Sequence, residues 1–143
     1  MIAVRIAPDM RMAVLGSPSY LATTSTPRTL QDLEAHDCIA LRLPTHGGLL
    51  QWEFKQRGKT VAVRTRGRLI FNTSELMLDA AAAGHGLAWV PRHLAQKSLD
   101  DGSLVDVLED LAVTYPGYHV YYATRRASPA LTLVVDALRP RPT

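Results

Sequence analysis

Leu69-Ile70-Phe71-Asn72-Thr73-Ser74-Glu75-Leu76-Met77-Leu78-Asp79-Ala80-Ala81-Ala82-Ala83-Gly84-His85-Gly86-Leu87-Ala88-Trp89-Val90-Pro91 decides the fold class. The residues from Arg68 to Phe71 read as a buried strand. Asn72 or Thr73 then caps a helix, with Glu75 near the end of its first turn, where a carboxylate faces the positive end of the helix dipole. Leu76, Leu78 and Ala80 to Ala83 form the helix body, and Gly84 stops it in the left-handed conformation. Leu87 to Val90 is a second apolar strand, and Pro91 opens a further helix reaching about Leu99. Two apolar strands without alternation, joined by a helix, predict a parallel arrangement with both faces covered.

The pattern extends upstream. Met10 to Leu15 is a strand entering Gly16-Ser17-Pro18, where Ser17 caps a short helix over Pro18 to Ala22. Thr29 with Asp32 three residues later predicts a helix over Leu30 to Ala35, followed by a strand from Cys38 to Leu43. Leu43-Pro44-Thr45-His46-Gly47-Gly48 is a loop. Trp52 to Lys55 and Thr60 to Arg64 flank Gln56-Arg57-Gly58 as a β-hairpin, with Gly58 taking positive φ. Downstream lie a turn at Asp101-Gly102, an extended piece from Ser103 to Leu108 and a last strand from Tyr118 to Thr124. An amphipathic helix from about Pro129 to Leu138 is marked by Leu131, Val134, Val135 and Leu138 at helical spacing. The tail from Arg139 to Thr143 is expected to fray. The expected class is α/β: a mostly parallel sheet flanked by helices, with an added β-hairpin.

Composition narrows the function. The chain has 143 residues, 47% of them apolar and 20% charged, which fits one globular domain and excludes wholesale disorder. Sixteen Lys and Arg against 13 Asp and Glu leave +3, too mild a balance to mark a nucleic-acid binder. One cysteine excludes a disulfide framework and a Cys-rich zinc site. No apolar run has the length of a membrane span, and the N-terminus lacks a signal peptide, so a cytoplasmic location is expected.

Cys38 near His36 invites a thiol-nucleophile reading, but no third orienting group is marked, and a buried structural thiol is preferred. His36, His46, His85, His93 and His119 form no metal-ligand spacing, so no metal is expected. Gly84-His85-Gly86 has Trp89 where a dinucleotide fingerprint needs a third glycine, and it follows a helix rather than a strand. No cofactor is implied. Lys55, Arg57, Lys59, Arg64, Arg66 and Arg68 read as a solvated basic hairpin, with Trp52 and Phe54 facing inward. Ligands of parallel sheets gather beyond the carboxyl ends of strands, where helix N-termini expose N–H groups. Two such ends carry small polar groups, Pro44-Thr45-His46 and Asn72-Thr73-Ser74. The latter suits a carboxylate, or simply caps its helix; the two readings weigh evenly.

The chain resembles the C-terminal effector-binding part of LysR-type transcriptional regulators. The resemblance runs in order through Met10-Arg11-Met12-Ala13-Val14, Ser17-Pro18-Ser19-Tyr20-Leu21, Thr26-Pro27, Asp32-Leu33, His36, Cys38-Ile39, Trp52-Glu53-Phe54 and Gly58. It continues through Gly67-Arg68-Leu69, Asn72, Ala80-Ala81, Gly84 to Ala88, Pro91, Gly102 to Leu108, Tyr121-Tyr122, Arg125-Arg126 and Pro129. Each piece is weak alone; the order and spacing together are specific. The resemblance implies a periplasmic-binding-protein-like (type 2) regulatory domain of two α/β subdomains with a small-molecule effector between them. It also implies a homo-oligomer and DNA binding through a separate N-terminal helix-turn-helix absent from this chain. Residues 1–111 correspond to the second subdomain, matching from about Met10, and 112–143 to a segment returning to an incomplete first subdomain. On this reading the chain is N-terminally truncated, binds no operator by itself, and exposes apolar surface on the closing segment that drives self-association. The expected effector contacts are Pro44, Thr45, His46, Asn72, Thr73 and Ser74, and no catalytic residue is expected. A stand-alone small-molecule-binding domain of periplasmic type is the alternative, and a thiol hydrolase using Cys38 a distant third.

Overall fold

The computed structural model describes residues 2–45, 47–122 and 128–139. Its strands are β1 (Ile2–Arg5), β2 (Met10–Gly16), β3 (Cys38–Leu41), β4 (Trp52–Gln56), β5 (Lys59–Val63), β6 (Ile70–Phe71), β7 (Leu87–Pro91), β8 (Val105–Val107), β9 (Thr114–Tyr115) and β10 (His119–Tyr122). Its α-helices are α1 (Pro18–Thr24), α2 (Ser74–Ala82), α3 (Gln96–Asp101) and α4 (Pro129–Leu138). The chain forms two compact units, Arg11–Val113 and Met1–Met10 with Thr114–Thr143.

In the larger unit the strand order is β6-β3-β7-β2-β8. β3 pairs in parallel with both β6 and β7, as the strand–helix–strand pattern predicts, while β2 runs antiparallel to β7 and β8. On one face Met77, Ala80 and Ala81 of α2 pack with Ala13, Leu15, Ile39, Ala88 and Val90. The small side chains let the helix approach the sheet closely. The intervening residues Val14, Leu87 and Trp89 are buried as well, and Trp52 of the hairpin stacks on Trp89 with centroids 6.4 Å apart. Covering on both faces explains why β2 and β7 read as unbroken apolar runs. The β4–β5 hairpin pairs Trp52 with Val63 and Gln56 with Lys59, and its turn holds Arg57 and Gly58 at φ 53° and 76°. Trp52 and Phe54 are buried, while Lys55, Arg57, Lys59, Arg64, Arg66 and Arg68 are exposed.

Several local expectations need correction. The Thr29–Asp32 capping box forms: Asp32 Oδ2 accepts from the N–H groups of Arg28 and Thr29 at 2.8 and 3.0 Å, and Thr29 Oγ1 accepts from Asp32 N–H at 3.3 Å. The helix it opens is a 3-10 turn over Gln31–Ala35, because only Leu33 is buried to anchor it before β3 begins. Pro91 does not open a helix. It completes β7 opposite Met12, so the chain turns through a 3-10 segment at Arg92–Ala95 before α3. The strand expected at Arg68–Phe71 shrinks to Ile70–Phe71 and is not buried, since it lies at the sheet edge with Ile70 46% exposed.

In the smaller unit β1 and β10 pair antiparallel, Ile2 opposite Tyr122 and Arg5 opposite His119. The sequence reading passed over β1, although Ile2, Val4 and Ile6 alternate with Ala3 and Arg5 as a half-covered strand does. This pairing groups Met1–Met10 with the closing segment, so the chain divides after Met10 and after Val113, not only near Leu111. Ser128 Oγ caps α4 by accepting from Leu131 N–H at 3.2 Å. Tyr118, Tyr121, Leu133, Val134 and Leu138 are exposed in this unit. The expected strand end at Thr124 and the tail beyond Arg139 lie outside the described residues.

Candidate functional site

Leu41 of β3 and Phe71 of β6 are register partners in a parallel pair, and the N–H of Arg42 donates to the Phe71 carbonyl at 2.8 Å. The two polar segments expected to meet a ligand therefore leave neighbouring strands at the same, carboxyl end of the sheet. After β3 the chain closes a tight turn: Leu43 N–H donates to Gly48 O at 2.8 Å and Gly47 N–H to Leu43 O at 3.1 Å. The Arg42 guanidinium clamps that turn by donating to Gly47 O at 2.6 Å. Pro44 and Thr45 are exposed on it, and His46 lies outside the described residues. After β6, Thr73 is the cap of α2: its backbone is extended and its Oγ1 accepts from Leu76 N–H at 3.3 Å. Thr73 thus has a structural task, whereas exposed Asn72 and half-buried Ser74 flank it on the same turn.

The His36–Cys38 pair does not assemble. The Cys38 thiol donates to the carbonyls of His36 and Leu33 at 3.8 and 3.9 Å, and burial pushes it up to about 12, so it stays a protonated thiol at neutral pH. The His36 imidazole faces Tyr20 instead, with Tyr20 Oη 2.8 Å from Nδ1. That oxygen also accepts the Asp37 N–H at 3.2 Å. Tyr20 Oη therefore bridges the imidazole and the Asp37 backbone, donating to Nδ1 or accepting from it according to the His36 tautomer. Burial lowers the affinity of this imidazole for a second proton. Among the described residues no group of three or more His, Cys, Asp or Glu side chains is placed to hold a metal.

Sequence reading passed over a groove of about 690 Å³ at the foot of the hairpin, floored by Cys38 and Ala40 and walled by Leu49–Gln51, Val63–Gly67 and Ile70. It contains none of the expected contact residues. Its pieces come from three separated segments, and its arginines read from sequence as ordinary solvated charges.

Residues 1–142 match the family model of the LysR substrate binding domain. The chain belongs to that family. A candidate transcriptional regulator of Pseudomonas aeruginosa is 48% identical over 140 residues, covering 97% of this chain and 46% of the relative. The HTH-type transcriptional regulator PgrR of Escherichia coli is 41% identical over 140 residues, covering 97% of this chain and 47% of the relative. The chain thus spans about half the length of these LysR-family relatives. Among solved structures, full-length AphB of Vibrio cholerae, a virulence activator, superposes with a TM-score of 0.78 at 26% identity over 96% of this chain and 46% of that one. The CrgA regulatory domain of Neisseria meningitidis, at 24% identity, a TM-score of 0.72 and coverage of 96% and 67%, shares the fold. The periplasmic-binding-like α/β class expected from sequence is the class of these LysR regulatory domains. Among the described residues no helix is long and apolar enough to cross a membrane.

Proposed function

We propose that this chain is the small-molecule-sensing part of a bacterial transcriptional regulator and catalyses no reaction. The observation that carries this reading is the LysR substrate-binding match across residues 1–142. The geometry supports it by sending two small-polar turns out of one end of a parallel sheet, the place where such folds take ligands. Asn72, Thr73 and Ser74 are the polar anchors, and Pro44, Thr45 and His46 shape the mouth. We assign the run from about Met10 to about Leu111 to the second subdomain, and 112–143, with the strand β1 that pairs with it, to the first. The whole protein works as a homo-oligomer in the cytoplasm and holds DNA through a helix-turn-helix outside this chain.

The test is an operator-driven reporter in cells carrying the full-length regulator, screened against a panel of organic acids and other small metabolites. At least one compound should change reporter output. The T73A/S74A variant should need a higher dose of it while binding operator DNA as before. An unchanged dose response removes Thr73 and Ser74 from the site; operator binding that ignores every small molecule overturns the sensing role.

A further inference from the structure

The groove at the foot of the hairpin shares no residue with the turns proposed above, and it lies within the larger unit. Its volume, about 690 Å³, falls among those of small-molecule sites. Leu49, Leu50, Val63 and Ile70 give it apolar walls, and no Asp or Glu lines it. Arg64 and Arg66 both line it, and Arg66 also borders the adjoining hollow that Glu34 and Asp37 line. Among the described residues neither guanidinium has a hydrogen bond or an ion pair. An apolar trough edged by two unpaired arginines and no carboxylate has one complementary ligand chemistry, an apolar body ending in an anion. Arginine is the side chain best shaped to hold a carboxylate through two parallel N–H donors.

The wall that carries these arginines is fixed in place. Cys38 N–H donates to Arg66 O at 2.9 Å and Ala40 N–H to Leu69 O at 3.0 Å. Between them Gly67 lies so close to β3 that a Cβ there would sit 2.2 Å from the Cys38 carbonyl oxygen. A ligand would meet a trough whose backbone is already ordered, so little ordering cost is left at binding.

We propose that this groove is a second binding site, distinct from the sheet-end turns, for a carboxylate with an aliphatic or aromatic body. The carboxylate pairs with Arg64 and Arg66 while the body lies on Leu49, Leu50, Val63 and Ile70.

Octanoate titrated into the 15N-labelled chain, followed by amide shifts, tests this directly, with octanamide as the uncharged counterpart. The expected result is saturable shifts centred on Leu49–Gln51, Val63–Gly67 and Ile70. Octanamide should bind at least tenfold more weakly, and R64Q/R66Q should weaken octanoate at least tenfold. Both arginines are exposed, so the variant should keep the fold, seen as unchanged shifts away from the groove. Shifts that never saturate, that centre on Asn72–Ser74 or α4, or that are indifferent to the ligand's charge and to the two arginines overturn the proposal. The two sites share no residue, so failure here leaves the regulator reading standing, and shifts centred on Asn72–Ser74 would place octanoate at the sheet-end turns instead.

Discussion

Tyr20→Phe keeps the ring and removes one buried oxygen, and the structure gives the size of the effect. That oxygen joins His36 Nδ1 at 2.8 Å and Asp37 N–H at 3.2 Å, and both Tyr20 and His36 are buried. Its loss leaves both His36 Nδ1 and the Asp37 N–H without that partner. At roughly 1–3 kcal/mol for each buried group left unpaired, partly relieved by water at the half-exposed Asp37, the cost is about 2–4 kcal/mol. In a unit of about a hundred residues each kcal/mol lowers Tm by roughly 4 °C or more, so a circular-dichroism melt at pH 8 should fall by about 10 °C or more. The same site sets a pH dependence. Burial lowers the His36 pKa from 6.5 in the fold, against the opposing pull of the Asp32 and Asp37 carboxylates. The unfolded chain therefore takes up its proton first, near pH 6.5, and stability that is complete above that pH declines as the pH falls below it. His36→Asn, which keeps a hydrogen-bonding amide near the Nδ1 position and cannot titrate, should flatten the decline between pH 7 and 5. A Tyr20→Phe melt within about 2 °C of the parent, or an acid decline that survives His36→Asn, would refute the argument.

Three further substitutions probe other parts of the fold. Gly86→Ala puts a Cβ 2.4 Å from the Asp37 carbonyl at a φ of +144°, next to the Leu87 N–H bond to that same oxygen. It should cost about 2–4 kcal/mol in urea unfolding, and a loss under 1 kcal/mol contradicts the close approach. Thr73→Ala should cost about 1 kcal/mol through the α2 cap alone, a figure to subtract before any ligand effect is credited to that residue. Trp52→Ala removes the hairpin's buried contact with Trp89 and should cost about 3–5 kcal/mol; a smaller loss would mean the hairpin covers the sheet without stabilising it.

The elements legible in the sequence were those specified by neighbours in the chain. A cap for α2 at Asn72 or Thr73, Ser17 capping α1, the Thr29–Asp32 box and the Gln56-Arg57-Gly58 turn all act over two to four residues, and each forms. What stayed hidden depends on partners far along the chain. β1 alternates as a strand does, but it stands as one because β10 pairs with it, and β6 is shortened and exposed because no strand flanks its outer side among the described residues. Pro91 looked like a helix start because its fixed φ suits one, yet its pairing opposite Met12 holds it in the sheet. The site followed the same rule. The rule that ligands meet the carboxyl ends of parallel strands pointed to Thr45 and Asn72, whose strands do end side by side. Tyr20 and His36 lie sixteen positions apart with no period to link them, and the groove needs β3 laid beneath the hairpin before its arginines share a wall.

The route of the chain through its two units also sets the order in which the protein can be built. Every residue of the larger unit lies in one continuous run, Arg11–Val113, so it can close as soon as that run has left the ribosome. β1 cannot. Its partner is β10, with Ile2 opposite Tyr122, so once β1 is made it waits until more than a hundred further residues have been synthesised. Through that interval its open edge is available to any passing strand, and the wait lengthens with slower translation. Synthesis rate and chaperone supply should therefore affect the yield of the smaller unit while leaving the larger one nearly indifferent.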